Sequence, residues 1–287
     1  MNTYNQIKSK YPKEEMMING SLFPYRYYKN ENADKTIVLL TGGIGLSDLM
    51  LFHFDEFTKS YSVLSFDYPI AYSTNQELVD AIAKLLGKLN IKAFLVGQSL
   101  GGFIAQMLAQ QYPKVVEGLI LSNTGILSVD LDDEGSKCFY DMMKRIDKSL
   151  ILIKMMPFNF MKKNIKKSVM KKTGQQLSPK EQVLMEELCD EMVKTLTKDY
   201  EIHMTLLLKD LLKYCNMKAN NFTRFKGKVL LILSDDDDIF NDSVKQTLIN
   251  IMPNPPVITD IRGGHLALLL KMDKYIQCIT DFISHVD

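Results

Sequence analysis

The stretch Ala93-Phe-Leu-Val-Gly97-Gln98-Ser99-Leu100-Gly101-Gly102-Phe-Ile-Ala-Gln carries the strongest chemical signal in the chain. A strand-like apolar run passes directly into Gly-x-Ser-x-Gly, and a helical pattern with small residues on one side continues to Pro113. A serine held at so sharp a strand-to-helix turn is presented as a nucleophile, and its near neighbours must be small. Gly97 and Gly101 supply that room. The start of the helix adds a positive dipole end and unbonded N–H groups, which makes the N–H of Leu100 a natural oxyanion donor. A second donor is expected from the loop after an earlier strand, and Leu39-Leu-Thr41-Gly42-Gly43-Ile44-Gly45 fits. Gly43 is the expected donor there, with Ile44 as the alternative.

A serine hydroxyl at neutral pH needs a base. Of the four histidines, His53 lies in a helical pattern before the elbow, His203 lies in a second helical region and His285 stands near the last residue. All three read as ordinary structural histidines. His265, in Asp260-Ile-Arg-Gly263-Gly264-His265, stands just after the last strand-like run, at the sheet edge where α/β proteins place their sites. The imidazole in turn needs a carboxylate to fix its tautomer. That acid should follow a strand between Ser99 and His265, where Leu230-Leu-Ile-Leu-Ser234-Asp235-Asp236-Asp237-Asp238 offers four. Asp237 is the expected acid, with Asp236 and Asp238 as alternatives. The four adjacent carboxylates lack a spacing that folds around a divalent cation, so neither a metal nor any other cofactor is expected.

The elements that must hold these residues alternate. Apolar, β-branched runs begin at Thr36, Tyr61, Ala93, Val116, Lys228 and Pro256, and continuous runs of this kind suit strands buried on both faces. Helical patterns lie between them. Thr74-x-x-Glu77 reads as a capping box, and Ser243-x-x-Gln246 as another helix start. The order predicts an α/β fold with a doubly wound, mostly parallel sheet. Residues Asn19 to Lys29 are expected to add an antiparallel strand or hairpin at its edge. Alternation stops after Asn123-Thr-Gly125 and resumes near Phe225-Lys-Gly227. The interval reads as an inserted all-helical cap, with Ser178-Pro-Lys-Glu181 opening one long helix and a second pattern over Tyr200 to Tyr214. The expected organisation is a core of residues 1–125 and 222–287 with a cap of residues 126–221.

Composition narrows the partners. The 287 residues are 46% hydrophobic and 24% charged, with a net charge of +1, which points away from a nucleic-acid partner. Residues 1–15 lack the pattern of a secretory signal, and no apolar run nears the roughly 20 residues needed to span a bilayer. The four cysteines form no CxxC pair and read as small buried apolar residues, so a cytoplasmic location is expected. Cap methionines Met142, Met143, Met155, Met156, Met161, Met185, Met192 and Met204 suggest an adaptable apolar pocket, or simple packing between helices. Lysines 162, 163, 166, 167, 171 and 172, with apolar residues between, form a basic amphipathic stretch that suits an anionic membrane surface, although a solvated helix face is the plainer reading.

Taken together, the elbow, the Ser234-Asp-Asp-Asp237 turn and the Gly263-Gly264-His265 loop resemble the α/β-hydrolase superfamily over nearly the whole chain. Within it, Asp67-Tyr-Pro-Ile70 followed by Val96-Gly-Gln-Ser-Leu-Gly-Gly-Phe-Ile-Ala-Gln is similar to the maspardin-like branch. Ser234 replaces the glycine usual in the acid turn, and Thr41 stands where many relatives carry His. The resemblance implies a serine hydrolase, a carboxylic ester hydrolase on a small or medium apolar substrate being the leading expectation. An acyltransferase or C–C hydrolase would use the same three residues, and a maspardin-like partner-binding adaptor would use none.

Overall fold

The computed structural model describes residues 3–173 and 179–286. Its eight strands form one sheet. They are β1 (Glu14–Ile18), β2 (Ser21–Tyr28), β3 (Thr36–Leu40), β4 (Ser62–Phe66), β5 (Ala93–Gln98), β6 (Val116–Ser122), β7 (Val229–Ile232) and β8 (Val257–Ile258). They lie in the order β1-β2-β4-β3-β5-β6-β7-β8. The six from β3 onward are parallel, while β2 runs antiparallel to both β1 and β4. The edge hairpin turns at Asn19-Gly20, whose φ values of 49° and 83° supply the two left-handed residues that a tight two-residue hairpin requires.

Alternate side chains along the strands feed two apolar layers. After α1 (Thr3–Lys10) and α2 (Leu51–Phe57) come α3 (Asn75–Lys88) and α4 (Leu100–Gln111), which cover the side of the sheet that Val38, Leu40, Leu95, Leu119 and Leu231 face. Ile37, Leu39, Val96, Ile120 and Ile232 face the other, where Phe54 and Tyr275 pack from opposite ends of the chain. Burial on both faces explains why these runs are continuously apolar rather than alternating. The Thr74 box forms as expected: the Thr74 hydroxyl accepts the N–H of Glu77, and the Glu77 carboxylate takes those of Ser73 and Thr74.

Between β6 and β7 the chain is helical: α5 (Asp133–Met155), α6 (Phe158–Thr173), α7 (Pro179–Thr195) and α8 (Lys198–Asp210), then short 3-10 turns. Ser178, the expected cap of α7, lies outside the described residues. The helix expected at Ser243 starts earlier, over Asp242–Ile251, because the Asn241 side chain accepts the N–H of Val244. Ser243 falls inside it and donates to Asp132 of the insertion. The last strand is also shorter than its apolar run, keeping only two residues beside β7.

Candidate active site

Ser99 joins β5 to α4 with φ 52° and ψ −117°. A non-glycine residue enters that region at a cost of order 1–3 kcal/mol, so the surroundings must enforce it. Here the Ser99 N–H donates to the Ser122 carbonyl (3.1 Å), and its own carbonyl accepts the Thr124 hydroxyl (2.8 Å) and the N–H of Gly102 (2.9 Å). A methyl on Gly97 would collide with the carbonyl of Gly101, and one on Gly101 with the carbonyls of Leu40 and Thr41. The glycine spacing is therefore a packing requirement of the turn.

The Ser99 hydroxyl lies 3.0 Å from Nε2 of His265. The opposite ring nitrogen, Nδ1, lies 3.1 Å from both carboxylate oxygens of Asp237. The Asp237 side chain is wholly buried, whereas the imidazole keeps about 20% of its surface exposed towards the cavity. An N–H on Nδ1 held by that carboxylate leaves Nε2 free to accept the serine proton.

The four adjacent carboxylates divide their work. Asp235 pairs with Arg262 at 3.0 Å on the surface. Asp236 takes the backbone N–H groups of Gly263 (3.1 Å) and Gly264 (2.9 Å) and so fastens the loop that carries His265. Gly263 and Gly264 sit at φ 153° and 58°, which that loop needs. Asp237 meets the ring and also accepts the N–H of Ile239 (2.9 Å). Asp238 is exposed at the cavity wall.

Several supporting residues were not legible in the motifs. The Gln98 side chain donates to the backbone carbonyl of His265 (3.2 Å). Buried Asn123, just past β6, donates to the Gly264 carbonyl (2.8 Å) and to the Ser234 hydroxyl (3.0 Å), and accepts the Ser234 N–H (2.8 Å). The Ser234 hydroxyl donates onward to the Ile261 carbonyl (2.8 Å), so serine in place of glycine here carries bonds that tie the acid turn to the histidine loop. Lys245 closes the group by donating to the Ser234 carbonyl (2.9 Å). Asn123 stands at the carboxyl edge of a central strand, the one signal that could have marked it.

The loop of residues 41–45 lies directly over the serine: a methyl on Gly42 would strike the Gln98 carboxamide and come within 3.4 Å of Ser99 Cβ. Gly43 and Ile44 line the cavity beside Ser99, while Leu100 opens α4 with an N–H that has no acceptor within its helix. The insertion holds the loop from above, since the Tyr200 hydroxyl donates to the Gly45 carbonyl (2.7 Å). A cavity of about 950 Å³ opens over Ser99 and His265. One face of α5 forms its far wall through Cys138, Asp141, Met142, Arg145, Ile146 and Ser149.

The cap methionines mostly serve packing. Among the described residues only Met142 of the eight reaches the cavity; Met143, Met185, Met192 and Met204 are buried between elements, and Met155 is 79% exposed. His53 is buried, with Nε2 3.1 Å from the Leu268 carbonyl, and burial pushes its pKa down to about 4. His203 is likewise buried in the insertion, away from the cavity lining. All four cysteines are free. Among the described residues no group of three or more His, Cys, Asp or Glu could hold a metal ion, and no helix is long and apolar enough to cross a membrane.

The chain matches the family model of the alpha/beta hydrolase fold over residues 35–271. It is 31% identical over 130 residues to RutD of Pantoea ananatis, a candidate carbamate hydrolase, covering 39% of this chain and 45% of that protein. It is 30% identical over 122 residues to the proline iminopeptidase PfmaB of Pestalotiopsis fici, covering 39% and 43%. The match thus spans less than half the length of either relative. Among solved structures, a hydrolase from Pseudomonas aeruginosa superposes with a TM-score of 0.72 at 15% identity, covering 94% of this chain and 98% of that one. With the strand order, the elbow and a family match over most of its length, the chain belongs to the alpha/beta hydrolase fold family.

Proposed function

We infer that this protein is a serine hydrolase that cleaves carboxylic esters of small or medium apolar groups through an acyl-enzyme. The hydrogen-bonded line from Ser99 through His265 to buried Asp237, opening into a cavity, is the observation that carries this reading. His265 takes the proton of Ser99 as its oxygen attacks the carbonyl carbon. The N–H groups of Gly43 and Leu100 receive the oxyanion, each worth about 3–4 kcal/mol in comparable sites. The tetrahedral adduct collapses, His265 protonates the departing alkoxide, and water then repeats the sequence on the acyl-enzyme.

Carbamate and peptide bonds, named in the two curated relatives, break by the same steps with nitrogen leaving, so an amide is the second substrate class to test. A screen of p-nitrophenyl esters of increasing acyl length, beside matched anilides and an added alcohol acceptor, separates these chemistries. The ester reading expects ester turnover that Ser99→Ala lowers about 10⁴-fold or more. Turnover of anilides alone, or transfer to the alcohol in place of hydrolysis, would overturn it. An inactive but folded enzyme would favour the adaptor role implied by the maspardin-like resemblance.

A further inference from the structure

Positive charge is concentrated in one part of this nearly neutral chain. Residues 144–172 hold ten basic side chains and one acidic one, leaving 25 basic and 33 acidic elsewhere. Part of this charge is used internally: Lys166 pairs with Asp190 (2.5 Å) and Glu186 (3.4 Å) across α6 and α7. The apolar face of α6 is also occupied, because Phe158 and Ile165 pack with Leu46, Met192 and Leu196. The face of α6 that holds Phe158, Ile165 and Lys166 is therefore turned inward.

The unpartnered apolar surface lies next to it. Tyr140, Lys144, Lys148, Ile151, Leu152 and Met155 recur at i, i+4, i+8, i+11, i+12 and i+15 along α5, and all are exposed. They form the outer face of the helix whose inner face walls the cavity. Tyr140, Ile151, Leu152 and Met155 are 60%, 57%, 51% and 79% exposed. Past the Met156-Pro157 corner, α6 presents Phe160, Lys163 and Lys167, again one exposed face at i, i+3 and i+7. Two carboxylates border the α5 face, and both are paired, Asp147 with Lys209 (2.6 Å) and Asp141 with Lys137 (3.3 Å), while α6 carries none.

We propose that the outer face of α5 and the first turns of α6 form a docking surface for an anionic lipid bilayer. Large apolar side chains flanked by lysines match such a surface twice: the apolar groups enter the headgroup boundary while the cations meet the lipid phosphates. A nucleic acid or an acidic protein would use the lysines and leave Ile151, Leu152 and Met155 in water. Docking would bring the cavity wall to the membrane, since Ser149 at the cavity and Leu152 on the outer face are one turn apart.

The test is flotation of the full chain with phosphatidylcholine vesicles, with and without phosphatidylglycerol, at low and high salt. Binding should require the anionic lipid and weaken as salt screens the lysines. Lys163→Glu with Lys167→Glu, and separately Ile151→Ser with Met155→Ser, should each weaken partitioning at least about tenfold. All four side chains are exposed, and unchanged hydrolysis of a soluble short ester, or an unchanged melting temperature, shows that the variants fold. Ser99→Ala should bind vesicles like the wild type, which separates this claim from the hydrolase reading. No flotation, equal flotation with neutral lipid, or retention by single-stranded DNA without vesicle binding would each overturn it.

Discussion

At the scale of single residues, the site depends on a few atoms held by many. In the proposed mechanism Asp237 keeps the imidazole in the tautomer that accepts from Ser99, so Asp237→Asn should lower kcat about 10⁴-fold with little change in fold. The same change at Asp238, which meets no ring nitrogen, should leave kcat within a few-fold; equal losses at both positions would refute the assignment of the acid. Asn123 works one step back. Asn123→Ala leaves the Gly264 carbonyl and the Ser234 N–H without their partner, costing about 1–3 kcal/mol of stability. Freed from that tie, the histidine loop should shift and lower kcat by about 10²-fold, because placement errors of an ångström have that scale. A variant that loses stability but keeps kcat would make Asn123 structural only.

Elements explain what was legible in the sequence and what was not. Buried parallel strands demand continuous apolar runs, and the elbow demands glycines at fixed offsets, so β3 to β7 and Ser99 could be read directly. The acid turn was less determinate, because Asp235 to Asp238 are chemically identical and only the fold turns one of them towards His265. Asn123, Gln98 and Lys245 act through backbone carbonyls, one backbone N–H and one hydroxyl whose proximity is tertiary, so no local pattern could announce them. The methionines of the insertion failed as a guide to the cavity because their helical spacing fits interhelical packing equally well. Gly97→Ala tests the elbow as an element: the added methyl meets the Gly101 carbonyl and should cost about 1–3 kcal/mol, with Ser99 displaced. Melting curves of that variant matching the wild type would contradict the packing argument.

For the whole molecule, both faces of the sheet are sealed, and the His53 imidazole is trapped in the seal. His53 has its pKa pushed from 6.5 to about 4 by burial, so it stays neutral in the fold and gains a proton on unfolding. The His53 contribution is fully present above pH 6.5 and is lost, by up to roughly 3 kcal/mol, as pH drops through 6.5 towards 4. Urea midpoints for the wild type and His53→Phe at pH 7.5 and 4.5 should show a shallower acid loss in the variant; parallel losses would assign the slope to other groups. The insertion contributes at this scale too, since α5 walls the cavity and Tyr200 holds the loop over Ser99. The central claim remains that Ser99, His265 and Asp237 are assembled for catalysis. Mass spectrometry after treatment with a fluorophosphonate probe tests this most directly. We predict rapid single labelling at Ser99 that is absent in Ser99→Ala and at least about 10³-fold slower in His265→Ala. A folded protein with an open cavity that stays unlabelled at Ser99, or labels as fast without His265, would contradict it.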